Sequence, residues 1–523
     1  MSGPVLRTPA AGPVELRASS WFDGERLRTE PARVLIADGV IVAVGADVED
    51  HPARRGARRI DGPGLLMPGF HDAHTHALGA GVLASEPALP EDADAAQILA
   101  RLADHARRRP TGLLRGHGWS AARPAARLSA SELEAVAPGR VVFLLSQDGH
   151  AALFSHAALA AAGVDAGTPD PEGGRFARDA DGRPTGLAFD KAIERVRRAL
   201  PVPDLATLVE AATFSLRELA RHGITSVQDD PSYEPRIEAF RAWRGALEGG
   251  AGCRVDVWRR LDERLAERLA AEPPCPDSEA AGLVRGGLAK IFADGSLSAG
   301  TAWMLEPLPE ALGGGTGLPL ITEARLRERI LSATSCGLQV GVHGIGDGAG
   351  RAAARAFEAL PRSRRPRLEH AQHLRAEDLT RLARSGAVAS VQPVHLAGDE
   401  ARIAHLPAAR RADSFRLRSL LDAGLILAFG SDWPVAPLDP RAGLAQAIRR
   451  DGERAPEGLS LAEALTAYTL GGARAAFSES WRGRVATGYA ADLCRLDPSP
   501  FEAGPEAARV TLTMVAGRIS YEA

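Results

Sequence analysis

Eight short apolar runs, most of them separated by amphipathic stretches of helical length, constrain this chain more than any other feature. The runs are GLLMPGF (64–70), VVFLLSQ (141–147), GITSVQ (223–228), GLAKIFA (287–293), LQVGVH (338–343), RLEHAQ (367–372), AVASVQP (387–393) and LILAFGSD (425–432). Near-continuous apolarity is what strands buried on both faces need, and such strands belong to parallel sheets. Amphipathic stretches cover 205–222, 322–336, 376–385 and 412–423, and Gly223, Gly337, Gly386 and Gly424 follow them where a left-handed C-cap is wanted. Ser460 and Glu463 have the spacing of a capping box. Eight strands alternating with helices predict an α/β fold, the (β/α)8 TIM barrel.

The ends of the chain read differently. Residues 15–64 give short strands and turns, with Asp38-Gly39 as a hairpin turn, and the C-terminal VTLTMVAGRISYE is similar. One small β-sandwich built from 1–64 and 476–523 is therefore expected around a barrel over 65–475. About 150 residues separate the end of the first run's strand from GITSVQ, far more than two βα units use. A subdomain inserted at about 78–222, with a hairpin at Asp181-Gly182, is expected on the loop side, where it can cover a substrate.

Composition narrows the function. A net charge of −3 disfavours nucleic acid and membrane surfaces as partners. Cys253, Cys275, Cys336 and Cys494 lack zinc-module spacing and read as reduced thiols. The N-terminus has no apolar signal-peptide core, and no run approaches the ~20 residues of a membrane span. A cytoplasmic protein is expected, with a homodimer left open.

Chemistry-bearing residues fall at the C-terminal ends of the predicted strands, where barrel active sites lie. The first offers His74 and His76, two apart and so on one face. The fourth offers Lys290, the fifth His343, the sixth His370 and the eighth Asp432. Singly, each has a bland explanation: a solvated strand end, a hydrogen-bonded histidine, a helix-capping aspartate. Together, in barrel order, imidazoles plus a carboxylate form the ligand set of a catalytic zinc site.

Lys290 is one of only two lysines among 63 basic residues, so the other 61 are arginine. A desolvated lysine amine can add carbon dioxide and become an anionic carbamate that bridges two metals, which arginine cannot do. A plain ion pair with Asp294 is the alternative. Lys191, beside Asp190, reads as a surface residue. His71 lies off the His74/His76 face and reads as structural. Trp119, His150, His373, Gln392 and Trp433 are weaker candidates for the substrate pocket.

The motifs MPGFHDAHTH, KIFADGS, VHGIGD, RLEHAQH and FGSDWPV, with TPDPEGGRFARDADGRPTG, AYTLGGARAAF and GYAADLCRLD, resemble the amidohydrolase superfamily. The similarity is to its branch containing N-substituted formamide deformylase, from about residue 30 onward. That resemblance implies that His74 and His76 hold one divalent metal, His343 and His370 a second, and carboxylated Lys290 bridges them. It makes Asp432 both a ligand and the catalytic base. One or two metal ions, Zn2+ by expectation, would then hydrolyse an amide or N-formyl amide C–N bond in a small molecule. Deamination of a heterocyclic amine and cyclic-amide hydrolysis are the alternatives, with a catalytically silent scaffold third. In GLAFDKA, relatives often carry Glu where this chain has Asp190.

Overall fold

The computed structural model describes residues 12–90, 92–119, 127–147, 149–231, 236–248, 252–260, 283–449 and 452–523. Its centre is an eight-stranded parallel sheet, nearly closed into a barrel. The strands are β1 (Phe70–Thr75), β2 (Ile224–Asp229), β3 (Arg254–Arg260), β4 (Val284–Phe292), β5 (Val340–Gly344), β6 (Arg367–His370), β7 (Val388–Val391) and β8 (Ile426–Phe429), each paired with the next in chain order. The register sets Phe292 of β4 opposite His343, and Gly344 opposite His370, so the C-terminal ends of these strands are level.

The first and last strands meet through the segment that follows β8. Asp432 N–H donates to the His74 carbonyl at 2.7 Å, and His76 N–H donates to the Trp433 carbonyl at 2.8 Å. Buried Asp72 accepts from Ser431 Oγ at 2.5 Å and from Ser431 N–H at 3.0 Å. Burial pushes its carboxyl up to about 7, against those hydrogen bonds.

The eight-strand expectation holds in number and fails in membership: GLLMPGF gives the barrel only Phe70, its Leu65–Pro68 being a strand of a terminal sheet, and a second run lies outside the barrel altogether. VVFLLSQ is not a barrel strand. Val142–Ser146 lies inside a five-stranded mixed sheet, between Leu114–Trp119 (parallel) and Ala151–Phe154 (antiparallel), with Pro184–Asp190 and Gly174–Arg178 beyond. A strand buried on both faces looks the same in either setting. The strand that replaces it, β3, opens by alternating charge with bulk, RVDV, and Arg254 and Asp256 are paired within the fold. Arg254 donates through Nε and an NH2 group to both oxygens of Asp492, while Asp256 accepts from Arg285 and Arg482.

Removing one partner of such a buried pair strands the other charge, which typically costs about 3–5 kcal/mol. Asp492→Ala is thus expected to lower unfolding free energy by about that amount, read from urea titration. A loss below about 1 kcal/mol would show that water reaches Arg254.

Of the local signals elsewhere, 412–423 contributes a helix of its own only over Leu417–Asp422, while the others hold. Leu205–Arg221 buries Leu208, Ala211, Ala212, Ser215, Leu216 and Leu219 along one stripe, is capped by Asp204, and ends at Gly223 with φ +75°. Ser460 and Glu463 form their capping box. Gly337, Gly386 and Gly424 all have positive φ. The Asp38-Gly39 turn joins Ala32–Ala37 to Val40–Val44 with both φ angles positive, as a type I′ turn requires.

Two further sheets carry the chain ends. One has four strands, all between Val14 and Ile60. The other has six, from Ser20–Phe22, Leu27–Arg28, Leu65–Pro68, Leu493–Asp497, Arg509–Val515 and Arg518–Glu522. Leu16, Val34, Ile36 and Ile41 of the first share an apolar layer with Leu66, Leu493, Leu512 and Met514 of the second.

Cys253, Cys336 and Cys494 are free thiols, and Cys275 lies outside the described residues. Among the described residues no helix is long and apolar enough to cross a membrane.

Candidate metal centre

At the C-terminal end of the barrel the strand-end residues converge, and their tautomers follow from their partners. His74 is buried, and its Nδ1 lies 2.9 Å from Glu369 Oε2. A carboxylate only accepts, so Nδ1 carries the hydrogen and Nε2 the lone pair. His343 Nδ1 stands 3.0 Å from Asp294 Oδ1, with the same consequence. His76 Nδ1 is 2.9 Å from the Asp230 carbonyl, so it too must donate. Holding the outer nitrogen of a ligating histidine in this way is how metal sites fix imidazoles.

The inner nitrogens face each other and a carboxylate. His76 Nε2 is 3.0 Å from Asp432 Oδ1, and His74 Nε2 is 3.4 Å from the same atom. An imidazole that has already given its Nδ1 hydrogen meets an ionised oxygen there with a lone pair. That geometry needs a positive charge between the two, a second proton or a metal ion. Burial, with Lys290 alongside, lowers His74 to about 4. Burial opposes ionisation of Asp432, but the His74 and His76 imidazoles outweigh it and hold the carboxyl below its usual range.

The ring of His370 lies 4.4 Å from that of His343 and 4.9 Å from that of His74, and burial with its neighbours drives its pKa well down. His370 and Asp432 both have positive φ, 71° and 59°, conformations that cost non-glycine residues energy and cluster at functional sites. Lys290 is buried, with Nζ 3.2 Å from His74 Nε2 and about equally far from the ring centres of Trp258 and Phe292, 5.0 and 5.1 Å. Among the described residues the ligand atoms of His74, His76 and Asp432 fall within 4.8 Å of one another, and so do those of His370, His395 and Asp432. Among the described residues, His370 Nδ1, His395 Nε2 and Asp432 Oδ1 are buried with no hydrogen-bond partner. An unsatisfied buried polar atom costs about 1–3 kcal/mol, so such atoms within this cluster fit bound cations.

His395 was not visible as a candidate in the sequence. It opens the helix His395–Ile403, three residues beyond the predicted strand-end Gln392, and only the turn between brings it back to Asp432. Glu369 and Asp294 were also passed over as supports. An acid two residues after an arginine inside RLEH, a fully buried strand of the barrel wall, was the signal available for Glu369. Asp294 does not serve only as an ion-pair candidate for Lys290. It accepts from Ile345, Gly346 and Trp303 N–H as well as binding His343.

The pocket candidates scatter. Trp119 is buried in the apolar cluster of the five-stranded sheet with Leu89, Leu102 and Leu144. His150 leaves that sheet for the centre: its ring is 5.3 Å from that of His343, and its Nδ1 is 2.6 Å from Asp190 Oδ1. Asp190, the sequence departure, thus has a partner, and holds φ 50°, ψ −120° to reach it. Gln392 is buried at the end of β7. His373 is buried and pairs Nδ1 with Ser414 Oγ at 2.9 Å. Trp433 is half-buried beside Asp432. His71 is buried under Gly472 and beside Gln228. Lys191 is not a plain surface residue: its Nζ donates to the Leu320 carbonyl at 2.6 Å, because the helix it opens packs against that loop.

A parallel barrel with an imidazole–carboxylate cluster at its C-terminal end is the setting of a candidate metal centre. The model of the amidohydrolase family matches residues 63–521, and the chain belongs to that family. YtcJ of Bacillus subtilis (strain 168), named as an amidohydrolase, is 31% identical over 520 residues, covering 95% of this chain and 96% of its own. N-substituted formamide deformylase of Arthrobacter pascens is 27% identical, covering 94% of each. In fold, an uncharacterized metal-dependent hydrolase from Pyrococcus horikoshii OT3 superposes with a TM-score of 0.77 at 23% identity, covering 95% of this chain and 99% of that one.

Proposed function

We propose that this amidohydrolase is metal-dependent and hydrolyses a C–N bond in an amide or N-formyl amide, outside peptides. The carrying observation is the face-to-face meeting of His76 Nε2 with Asp432 Oδ1 at 3.0 Å, with the outer nitrogen of His76 already committed to a carbonyl. His74, His76 and Asp432 would hold one divalent cation, and His343 and His370 a second. Lys290, having added carbon dioxide at Nζ with release of a proton, would bridge them as a carbamate. Zinc suits such a nitrogen-rich set with an oxygen donor. When bound, the cations polarise a carbonyl and bring water toward ionisation at neutral pH.

The chain's own residues then do the rest. Asp432 takes the proton released as water adds to the carbonyl and delivers it to the departing nitrogen, which is a poor leaving group until protonated. Glu369 and Asp294 keep His74 and His343 aimed. The 78–222 insertion covers the site, and His150 with Trp433 would line the pocket along with His373 and Gln392. Trp119 would act from beneath the insertion's sheet. We assign the 1–64 and 476–523 sheets to one composite β-sandwich. A short acyl group on a bulky apolar amine is the substrate class we favour, drawing on the name of the Arthrobacter pascens relative. A cytoplasmic enzyme, possessing small-molecule rather than nucleic-acid or membrane partners and assembling as a homodimer, completes the reading.

Protein purified without chelator should carry at least one equivalent of zinc per chain by elemental analysis, and dialysis against chelator should abolish activity reversibly. Full activity in a metal-free preparation would end the reading. In a screen of N-formyl amines, formate plus a primary amine is the expected product. Release of free ammonia from heterocyclic amines alone would instead identify a deaminase.

A further inference from the structure

His395 has no role in the reading above, although it faces the same carboxylate from the other side. β7 ends at Val391, and after Gln392, Pro393 and Val394 the chain enters the helix His395–Ile403, whose first residue is this histidine. Its Nε2 is buried, has no hydrogen-bond partner among the described residues, and lies 3.6 Å from Asp432 Oδ2, too far for a hydrogen bond. Its ring centre is 6.0 Å from that of His370, whose Nδ1 is likewise unpartnered.

Asp432 therefore divides its two oxygens. Oδ1 faces His76 and His74, at 3.0 and 3.4 Å, and Oδ2 faces His395 at 3.6 Å. Two donors each about 2.1 Å from one zinc ion stand about 3.0 Å apart at a right angle, about 3.4 Å at the tetrahedral angle and about 3.6 Å at 120°. Each of the three separations is thus the spacing of two ligands on a shared cation. No direct hydrogen bond accounts for the longest.

We propose that His395 is a metal ligand, which together with His370 and Asp432 Oδ2 holds the second divalent cation. The Asp432 carboxylate would then place one oxygen toward each cation, and the second lone pair of either oxygen remains to take the proton in its role as base. This rests on the proposed metal dependence and adds a donor from the seventh strand's loop that the sequence pattern did not supply. It also makes the second cation depend on a residue at a helix start rather than on strand ends alone.

The test is zinc binding itself. Chelated wild-type protein, His395→Ala and His395→Gln are titrated with zinc against a competing chelator, with circular dichroism confirming the fold. Wild type is expected to take up two equivalents. Both variants should keep the first with unchanged affinity and bind the second at least about a hundredfold more weakly, since loss of even a supporting residue costs a metal site 10–100-fold. The cobalt-substituted proteins should show the same difference as loss of one of two visible-absorption steps. Two equivalents of wild-type affinity in both variants would overturn the assignment, whatever their activity, and would leave His395 a substrate contact. Wild type that saturates at one equivalent also overturns it while leaving the metal-dependent reading intact. Wild type that binds no zinc removes the metal-dependent reading as well.

Discussion

Lys290→Arg is expected to be as damaging as Lys290→Ala, losing at least about a hundredfold in kcat/KM together with much of the bound metal. Conserving the charge does not help, because the charge is the problem. Lys290 is 1% exposed, its Nζ sits 3.2 Å from the lone-pair nitrogen of His74, and aromatic rings flank it. A lysine there can lose its proton and add carbon dioxide, ending as an anion beside the cations. A guanidinium stays protonated under all ordinary conditions and would place a fixed positive charge against them. Bicarbonate should speed zinc reconstitution of the chelated wild type, and short carboxylic acids should partly restore Lys290→Ala. A Lys290→Arg enzyme with two equivalents of zinc and normal turnover would reduce the lysine to an ion-pair partner. Lys191→Arg is the matched control. It disturbs one hydrogen bond to Leu320, which has a net worth of about 0.5–1.5 kcal/mol, so it should lower thermal stability slightly and leave metal content unchanged.

Asp432→Asn should cost about 10²–10⁴-fold in kcat, the usual contribution of one positioned acid–base group. The structure adds a second, opposite-looking effect. The new amide group would sit about where Oδ1 stands, 3.0 Å from His76 Nε2. Its N–H could donate directly into the histidine's lone pair, meeting the need that a cation meets in the wild type. The metal-free variant should therefore melt no lower than metal-free wild type, and addition of zinc should raise its melting temperature less. Differential scanning calorimetry of the four samples checks this. Near-normal turnover with unchanged zinc would place the base elsewhere. A large zinc-dependent rise in melting temperature for Asp432→Asn would mean the carboxylate is not a ligand.

Much of this was legible because barrel chemistry sits at strand ends, and strand ends are marked in sequence by a polar residue closing an apolar run. His74, Lys290, His343, His370 and Asp432 could be picked out on that ground, and the structure brings all of them together. What failed has two causes. Arg254 and Asp256 of β3 are satisfied by Asp492, Arg285 and Arg482, residues up to 238 positions away, so nothing local distinguishes that strand from an exposed one. VVFLLSQ is locally a better barrel strand than β3 and belongs to another sheet. His395 escaped notice for the converse reason: a turn and a helix start, not a strand, deliver it to the site. Asp190 had only its unusual identity to recommend it, and its partner His150 is 40 positions earlier.

The join between the first and last barrel strands has a consequence for the order of events at the ribosome. Asp72 and Ser431 are separated by 359 positions, and the bonds that bring Asp432 to His74 belong to the same join. A nascent chain shows its histidine pair early but has no carboxylate to set against it until almost the whole barrel has been translated. If His74, His76 and Asp432 hold a cation as proposed, half-made protein offers it only a loose, open pair of imidazoles, and tight capture waits for ring closure. Uptake of the ion is then a late step that favours the finished ring over every earlier intermediate, since a ligand held only by the native form stabilises that form by mass action.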